Sequence, residues 1–380
     1  MNKNEIAIYI HWPFCLSLCP YCDFNSHVQA KIDHEIWAKS YIKELEYFMA
    51  KIKGKKITSV FFGGGTPSLM SPAIISEILD FLAKNCRFEA NIEVTLEANP
   101  TSVESSKFEN FKSAGINRLS VGVQSFIETD LKALGRKHNA DEAIRAINIA
   151  AENFDNYSFD LIYARPHQTL ESWKQEIEFA LSLAPKHISL YQLTIEKGTP
   201  FFKLFRDGSL KLPDNELAAD MYDLTNEITQ AHDYHRYEIS NYARPGFECE
   251  HNLNYWNYGN YLGIGPGAHS RINGKAIMMT HNPKNWLSQI EKIGHGIQTE
   301  INLTENELIS EIIMMGLRLS KGISLENFKN KTGKNFTESV NPNYLNTLLQ
   351  NNLAENKENF FRLLPNGLNL HNYILARLLE

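Results

Sequence analysis

Short runs of β-branched and aromatic residues alternate with amphipathic stretches through about the first 200 residues of the chain. A strand buries alternate residues and a helix buries residues three or four apart, so the two periods separate the two kinds of element. Six runs predict strands, over Ile6 to Ile10, Ile57 to Phe62, Ile92 to Leu96, Arg118 to Val123, Phe159 to Tyr163 and His187 to Leu193. Strands that alternate with helices in this way are typical of parallel βαβ units.

The stretches between these strands carry helix-end signals. Apolar residues at near-helical spacing predict a helix over Asp33 to Met49. Ser71 before Pro72 is typical of an N-cap followed by proline at the first helical position. Thr101 and Glu104 predict a capping box. The first half of the chain therefore contains about six βα units.

Six βα units form either a partial (β/α)6 TIM-type barrel or an open doubly wound sheet, and periodicity alone does not separate the two. Polar and small residues occur at or just beyond the ends of the predicted strands, at Cys15, Gly63 to Thr66, Glu97, Gln124 and the segment after Asp160. In a barrel these ends form one rim, where functional groups converge. We therefore expect an α/β protein built on a partial (β/α)6 barrel.

The alternation of strands and helices changes after about residue 200, where the predicted loops are longer and prolines recur along the chain. A last helical region is predicted from Thr304, where Thr304 and Glu307 have the spacing of a second capping box. Short helices and a hairpin-like stretch follow it, which is typical of a small α+β module. We expect a barrel domain over residues 1–240, a connecting region over 241–300 and a small C-terminal domain over 301–380.

Composition and charge limit the class of protein. A chain of 380 residues with 43% hydrophobic residues can bury a large core. Its net charge of -6 does not favour binding to nucleic acid, whose phosphates select a basic surface. The N-terminal segment lacks a signal-peptide pattern, and no apolar run approaches the roughly 18 residues of a membrane helix. We expect a cytoplasmic protein.

Three of the five cysteines, Cys15, Cys19 and Cys22, lie within one short segment. Disulfide scaffolds are short, secreted and rich in cysteine, so in a reducing compartment this cluster predicts a metal-sulfur site. Three thiolates instead of four indicate a site with an open coordination position. A structural zinc site, with His11 or His27 as the fourth ligand, is the alternative.

A glycine-rich turn follows the second predicted strand, at Gly63, Gly64, Gly65 and Thr66. Glycine lets backbone N–H groups approach a carboxylate or phosphate closely, because no Cβ intervenes. An ordinary strand-to-helix turn has the same composition. The turn by itself leaves both interpretations open.

The CxxxCxxC spacing of Cys15, Cys19 and Cys22 resembles that of the radical S-adenosylmethionine superfamily. The resemblance implies that the three thiolates hold a 4Fe-4S cluster whose fourth iron binds S-adenosylmethionine. It also implies that the turn from Gly63 to Thr66 meets the methionyl end of that cofactor. Other candidates for contacts with the cofactor or the cluster loop are Tyr9, Tyr21, Glu97, Gln124, Arg136 and Asp160.

Over nearly its whole length the chain resembles one branch of that superfamily, which contains oxygen-independent coproporphyrinogen III dehydrogenases and HemW haem chaperones. The dehydrogenases carry a further cysteine two residues after the third, where this chain has Asp23 and Phe24, as the HemW group does. They also have a longer N-terminal extension, whereas 14 residues precede Cys15 here. The resemblance thus implies a chaperone that binds haem and passes it to acceptor haemoproteins, including membrane-bound ones, with cluster assembly promoting a homodimer. Coproporphyrinogen dehydrogenase activity is expected to be absent.

The segment His251 to Trp256, HNLNYW, matches the HNxxYW motif of the HemW group. Imidazole is a common axial ligand of haem iron, and aromatic rings can cover a porphyrin face. The motif therefore implies haem binding in residues 241–300 with His251 as the ligand, and Cys249 is its rival. A histidine beside aromatic residues is otherwise more often a packed, hydrogen-bonded one.

One stretch departs from the family pattern. Family members usually have Gly-Leu-Pro-x-Gln-Thr after the fifth strand, whereas this chain has Ala164 to Thr169, ARPHQT. Loss of that glycine is expected to alter a turn near the cofactor, and His167 is expected to be a loop residue.

The sequence leaves three alternative functions open. The main alternative is an oxygen-independent coproporphyrinogen III dehydrogenase, which performs radical oxidative decarboxylation. A radical enzyme that modifies RNA is disfavoured by the acidic charge balance. A structural zinc or iron-sulfur protein is the third, and counts of iron, sulfide and zinc would decide it.

Overall fold

In the computed structural model, which describes residues 4–29 and 31–380, strands and helices alternate through the first half of the chain. The strands of this half are β1 (Glu5–Trp12), β2 (Phe14–Cys15), β3 (His27–Val28), β4 (Lys56–Gly64), β5 (Arg87–Ala98), β6 (Arg118–Gln124), β7 (Asn156–Tyr163) and β8 (His187–Gln192). The helices are α1 (His34–Ile52), α2 (Pro72–Asn85), α3 (Ser102–Ser105), α4 (Phe108–Ser113), α5 (Glu128–Ala133), α6 (Ala140–Asn153) and α7 (Leu170–Ser182).

Strands β1, β4, β5, β6, β7 and β8 lie side by side in that order and pair in parallel. Each corresponds to one of the six predicted strands, and helices connect each strand to the next. The order of the strands and their parallel direction are those of successive βα units. The predicted α/β class with a partial (β/α)6 barrel is confirmed.

Only some of the predicted helix caps form as predicted. Ser71 caps α2 with Pro72 in its first turn, as predicted. Helix α1 begins at His34, and the structure shows Asp33 as its N-cap. The hydroxyl of Thr101 accepts a hydrogen bond from the N–H of Glu104. The Glu104 carboxylate, however, accepts from the backbone N–H of Asn99, at 3.2 Å, and from the Ser68 hydroxyl. Only half of the predicted capping box therefore forms.

The two faces of the parallel sheet differ in polarity. Alternate residues such as Ile8, Ile10 and Val60 join the main hydrophobic core with the helices. The intervening residues point to the opposite face, as the period of two requires. Buried polar residues on that face are Ser59, Glu93, Thr95, Arg118, Ser120, Ser158, His187 and Ser189. A polar interior enclosed by the sheet follows from this alternation.

The same sheet continues after residue 200. The further elements are α8 (Pro200–Arg206), α9 (Asn215–Ala231), β9 (His235–Glu238), β10 (Asn241–Ala243), α10 (Glu250–Trp256), β11 (Tyr261–Ile264), β12 (His269–Ile272), β13 (Lys275–Met279), α11 (Pro283–Ile293) and β14 (Ile297–Asn302). Strand β11 pairs in parallel with β1, and β12, β13 and β14 add antiparallel strands beyond it. The sheet thus has twelve strands and runs across residue 240. The division at residue 240 stays a prediction.

The last part of the chain has a hydrophobic core of its own. It consists of α12 (Glu305–Gly316), β15 (Ile323–Ser324), α13 (Leu325–Thr332), α14 (Pro342–Gln350), β16 (Ala354–Lys357), β17 (Phe360–Leu363), α15 (Pro365–Leu368) and α16 (His371–Leu378). Strands β16 and β17 form the predicted hairpin, and the capping box of Thr304 and Glu307 is present. Among the residues that the structure describes, no helix is both long and apolar enough to cross a lipid bilayer.

A single buried carboxylate connects α1 to residues 241–300. Glu44 accepts hydrogen bonds from the backbone N–H groups of Gly265 and Gly296, both at 2.8 Å, and from Nε1 of Trp286 at 3.0 Å. Three segments distant in sequence therefore depend on one side chain. Burial raises the pKa of Glu44 to about 7 even though these donors oppose the shift.

We expect Glu44→Gln to lower the free energy of unfolding by about 1 to 3 kcal/mol, because an amide NH2 would face one of the N–H donors. The folded-state pKa of Glu44, about 7, lies above the ordinary value of 4.5. The unfolded chain therefore loses this proton first, and the advantage of the wild type shrinks as the pH rises between these values. Urea unfolding at several pH values measures both effects, with the exposed Glu46→Gln on the same helix as control. Equal losses in the two variants would contradict this role.

Candidate functional site

A cavity of about 380 Å³ opens at the carboxyl ends of the parallel strands, beneath the loop between β2 and β3. The predicted site residues that line it are Cys15, Cys19, Tyr21, Cys22, Gly64, Gly65, Thr66, Glu97, Gln124, Arg136 and Asp160. They come from six separate segments of the chain, which meet because the carboxyl ends of parallel strands share one rim. Gly63, Tyr9 and His251 do not line this cavity.

The three cysteines lie on the loop that covers the cavity. Cys15 ends β2, whose pairing with β3 brings the two ends of the loop together. All three thiols are partly exposed and free. Burial raises the pKa of Cys15 and of Cys22, and a hydrogen bond from the Thr66 hydroxyl to Cys15 Sγ, at 3.3 Å, opposes the shift at Cys15. The loop presents three soft donors on one side of the cavity.

A chain of hydrogen bonds joins two of these cysteines through the rim of the barrel. Arg136 donates to Cys19 Sγ at 3.6 Å and to Asn99 Oδ1 at 2.7 Å. The Asn99 amide donates to Thr66 Oγ1 at 3.1 Å, and Thr66 donates to Cys15. Asn99 was not among the predicted site residues, although it stands two residues after Glu97 at the end of a predicted strand. Arg136 and Asn99 fix the position of the cysteine loop.

The glycine turn is attached to the same loop. The N–H of Gly65 donates to a β1 carbonyl at 2.7 Å, and the N–H of Thr66 donates to the Phe14 carbonyl at 2.8 Å. The N–H of Gly64 donates to Glu97 Oε2 at 3.2 Å. A Cβ on Gly65 would lie 2.7 Å from the Phe14 carbonyl oxygen, so glycine is needed for this close approach. These three N–H groups are used within the protein.

Two carboxyl groups form the wall of the cavity opposite the cysteine loop. Burial raises the pKa of Glu97 to about 8, and the nearby Asp160 adds to the shift. Burial raises the pKa of Asp160 to about 6, while hydrogen bonds from Ser189 and Ser120 oppose the shift. A protonated carboxyl group donates a hydrogen bond and an ionised one accepts, so this pair can serve as donor or acceptor to a ligand.

The two predicted tyrosines occupy different places. Tyr21 lines the cavity and packs against Phe201, with ring centroids 6.3 Å apart. The Tyr9 hydroxyl lies 3.1 Å from His11 Nδ1, and its ring stacks on that of Phe61. Gly63 adjoins the Tyr9 ring, from which an added Cβ would be 2.9 Å away. Tyr9 and Gly63 therefore lie deeper in the barrel than the cavity.

The two histidines considered as zinc ligands are engaged elsewhere. His11 Nε2 lies 2.9 Å from the Asn25 carbonyl oxygen, and His27 Nε2 lies 3.1 Å from Asn25 Oδ1. Burial lowers the pKa of His11 to about 4. Across residues 4–29 and 31–380, no three histidine, cysteine or acidic side chains are arranged to hold a single metal ion.

The predicted haem ligands lie at the opposite end of the barrel from the cavity. His251 is buried in α10, with Nδ1 2.8 Å from Ser59 Oγ and Nε2 3.0 Å from the Tyr255 hydroxyl. Burial lowers its pKa to about 3. Cys249 is buried as well, donates to Glu93 Oε1 at 3.3 Å, and has a pKa raised by burial to about 12. Both side chains have partners within the protein.

The stretch that departs from the family pattern forms a tight loop after β7. Ala164 and His167 both have left-handed backbone, with φ of 55° and 62°, which glycine adopts without strain. His167 is exposed in this loop, as expected. Arg165 is buried and forms ion pairs with Glu176 and, at 2.8 Å, with Asp130. Arg165 was not among the predicted functional residues, because nothing in the local pattern indicates its distant partners.

Comparisons with known proteins cover the whole chain. The Radical SAM superfamily matches residues 9–180, and the HemN C-terminal domain matches residues 303–370. The heme chaperone HemW of Haemophilus influenzae is 38% identical over 93% of this chain and 93% of its own length. HemW of Bacillus subtilis is 34% identical over 98% and 99%. The mitochondrial radical S-adenosyl methionine domain-containing protein 1 of Danio rerio is 37% identical over 86% and 75%.

Among solved structures, the radical SAM enzyme coproporphyrinogen III oxidase, HemN, of Escherichia coli has the same fold. The TM-score is 0.82 over 98% of this chain and 89% of that one, at 22% sequence identity. The family assignment itself rests on the near full-length identity with the bacterial relatives. The chain belongs to the HemW family of the radical S-adenosylmethionine superfamily.

Proposed function

We propose that this chain is a haem chaperone, which binds haem and transfers it to acceptor haemoproteins, and that its cavity holds one 4Fe-4S cluster together with S-adenosylmethionine. The observation that carries the proposal is the identity of 34% and 38% with HemW chaperones over nearly the full length of both chains. Similarity of that extent covers the barrel, α10 and the C-terminal module together.

The residues of the cysteine loop fit an iron-sulfur cluster. Cys15, Cys19 and Cys22 would hold it, since they are three soft donors on one loop at a cavity mouth. Thr66 and Arg136 each donate a hydrogen bond to one of the sulfurs. When bound, such a cluster supplies a low-potential electron and one open iron position.

The cavity also suits a polar cofactor such as S-adenosylmethionine. Its volume of about 380 Å³ lies within the usual range of small-molecule sites. Because the N–H groups of Gly64, Gly65 and Thr66 are engaged, this turn would offer carbonyl oxygens, which accept hydrogen bonds from an ammonium group. Glu97 and Asp160 would hydrogen-bond hydroxyl groups. S-adenosylmethionine carries both kinds of group.

The main alternative, coproporphyrinogen III dehydrogenase activity, is favoured by the fold shared with HemN. A fold supports many functions, however, and the distinction lies at particular residues. Phe24 stands where the dehydrogenases have a further cysteine, and its side chain is 64% exposed. We therefore propose that the chain does not convert coproporphyrinogen.

A second copy of the chain would bind near the cysteine loop. Leu16, Leu18 and Phe24 are 61%, 56% and 64% exposed, and several exposed apolar residues within one loop favour contact with another protein. We assign this face to the homodimer, and acceptor haemoproteins, including membrane-bound ones, would receive haem at the α10 end of the barrel. The free thiols fit the reducing cytoplasm as the location.

Anaerobic reconstitution tests the two functions directly. The reconstituted chain is expected to bind one haem per polypeptide and to leave coproporphyrinogen unchanged when S-adenosylmethionine and an electron donor are supplied. Haem titration followed by absorbance and chromatography of the porphyrin products measure the two outcomes. Formation of protoporphyrinogen would overturn the chaperone proposal.

We expect His251→Ala to change the haem absorbance spectrum, because loss of an axial imidazole alters the field at the iron. Cys249→Ala tests the rival ligand in the same way. The exposed His235→Ala serves as the control for loss of a histidine. An unchanged spectrum in His251→Ala, with a changed one in Cys249→Ala, would transfer the ligand role to Cys249.

The hydrogen bond from Thr66 to Cys15 predicts a shift in redox potential. Donors to cluster sulfurs stabilise the more negative reduced state, so Thr66→Val is expected to lower the reduction potential without preventing cluster assembly. A redox titration followed by electron paramagnetic resonance measures it. Thr129→Val, which removes an exposed hydroxyl on α5, is the matched control. Identical potentials in the two variants would remove this role from Thr66.

A further inference from the structure

Helix α10 closes the end of the barrel opposite the cavity. The backbone N–H groups of Glu250 and His251 both donate to the Glu93 carboxylate, at 3.2 Å. The His251 ring packs against Phe61, with centroids 5.0 Å apart. Arg118, the first residue of β6, lies beside Glu93 at 3.8 Å. The helix thus covers the amino ends of β4, β5 and β6.

Among the described residues His251 is enclosed and only 1% exposed, so a porphyrin cannot reach its ring in this structure. Each ring nitrogen of His251 has a hydrogen-bond partner, and Cys249 Sγ donates to Glu93. A small cavity does lie where Trp256 meets α12, but its volume of about 20 Å³ is that of one or two water molecules. If His251 or Cys249 binds haem, α10 must first move.

The C-terminal module holds the carboxyl end of α10. The Arg318 guanidinium lies over the Trp256 ring, 4.4 Å from its centroid. The Tyr258 hydroxyl donates to Glu311 on α12, and Lys331 Nζ donates to the Tyr258 carbonyl oxygen at 2.6 Å. Residues from two helices and one loop of the module therefore fasten the segment from Trp256 to Tyr258.

The chain on either side of α10 is suited to act as a hinge. Gly246 precedes the helix with a φ of 84°, and none of the residues that the structure describes lies within 4 Å of where its Cβ would be. Tyr258 follows the helix with a φ of 55°, a left-handed conformation that costs a tyrosine free energy. Backbone rotation at these two positions would move α10 as a unit, and the contacts of Tyr258 with the module oppose it.

We propose that the haem site of this chain is closed, and that it opens when α10 swings away from the barrel to expose His251 and Cys249 to haem. The contacts of Trp256 and Tyr258 with the C-terminal module set how often it opens. The module, 40 or more residues further along the chain, thereby regulates haem uptake. This inference rests on the proposed haem-binding function, but the motion itself is measurable without haem.

Alkylation of Cys249 reports the opening, because its Sγ is fully buried while α10 is closed. The double variant Tyr258→Phe with Lys331→Met removes two of the hydrogen bonds that hold α10. Alkylation of Cys249 by iodoacetamide, quantified by peptide mass spectrometry in the reconstituted protein, is expected to become about fivefold to a hundredfold faster, the factor that two hydrogen bonds contribute to a local equilibrium. Cys86, on the partly exposed end of α2, is the internal reference and should react at an unchanged rate.

The matched control is Arg362→Met, which removes a cation of the same module that pairs with Glu355 on its surface. It should leave the Cys249 rate unchanged. Low urea distinguishes local opening from global unfolding, since only the latter accelerates steeply with denaturant. Equal Cys249 rates in the wild type and the double variant would overturn the inference, whether or not haem binds.

Haem uptake then connects the motion to function. In stopped-flow mixing with haem, the double variant is expected to bind faster by the same factor as Cys249 alkylation, with the same final spectrum as the wild type. Faster alkylation with unchanged haem uptake would show that haem does not enter beneath α10, and would overturn the proposal. Failure of every variant and of the wild type to bind haem would instead overturn the proposed chaperone function.

Discussion

The parallel pairing of β1 with β4 is the constraint on which the site depends. Its register places His11 beside Gly63 and Trp12 beside Gly64, so both strands end at the same level. From there the N–H of Gly65 donates to the carbonyl oxygen of Trp12 at the end of β1, and the N–H of Thr66 donates to that of Phe14 just before the cysteine loop. A slip of one residue would turn every side chain of the strand to the other face and break this attachment. The position of the cysteine loop therefore follows from backbone pairing more than from its own sequence.

The polar interior gives the two ends of the barrel different properties. At the carboxyl ends the cavity is lined by ionisable groups whose pKa values burial has shifted, as at Glu97 and Asp160. At the amino ends the Glu93 carboxylate lies close to Arg118 and accepts from the first residues of α10. Buried charges are tolerated only where partners satisfy them. One end is therefore open to a ligand, and α10 closes the other.

The position of α10 also links the HNLNYW segment to the C-terminal module. The helix contributes His251 to the barrel interior and presents Trp256 to Arg318 of the module. Arg318 in turn donates to Glu238, which is fully buried, at 2.9 Å. The motif is thus a structural connection between the two hydrophobic cores, whichever of its residues binds a ligand.

Local patterns in the sequence sufficed for several elements. The six strands, the cap at Ser71 and the Thr304 capping box were predictable, because periodicity and capping act over a few neighbouring residues. The Thr101 box was only half correct, since Glu104 found partners at Asn99 and Ser68 that the local pattern does not contain. In the folded protein a polar side chain can bond to any donor or acceptor within reach. The sequence shows only the partners that are close along the chain.

The functional site likewise has features that the local sequence predicts and features that it does not. By itself the sequence determined the family, the cysteine loop and about a third of the residues that line the cavity, since a short motif and the ends of parallel strands are local features. Only the tertiary structure decided that Asn99 and Arg136 connect Cys15 to Cys19, that Glu44 joins three distant segments, and that His251 is enclosed. Burial and hydrogen bonding depend on which distant segments come into contact, and only long-range packing determines those contacts.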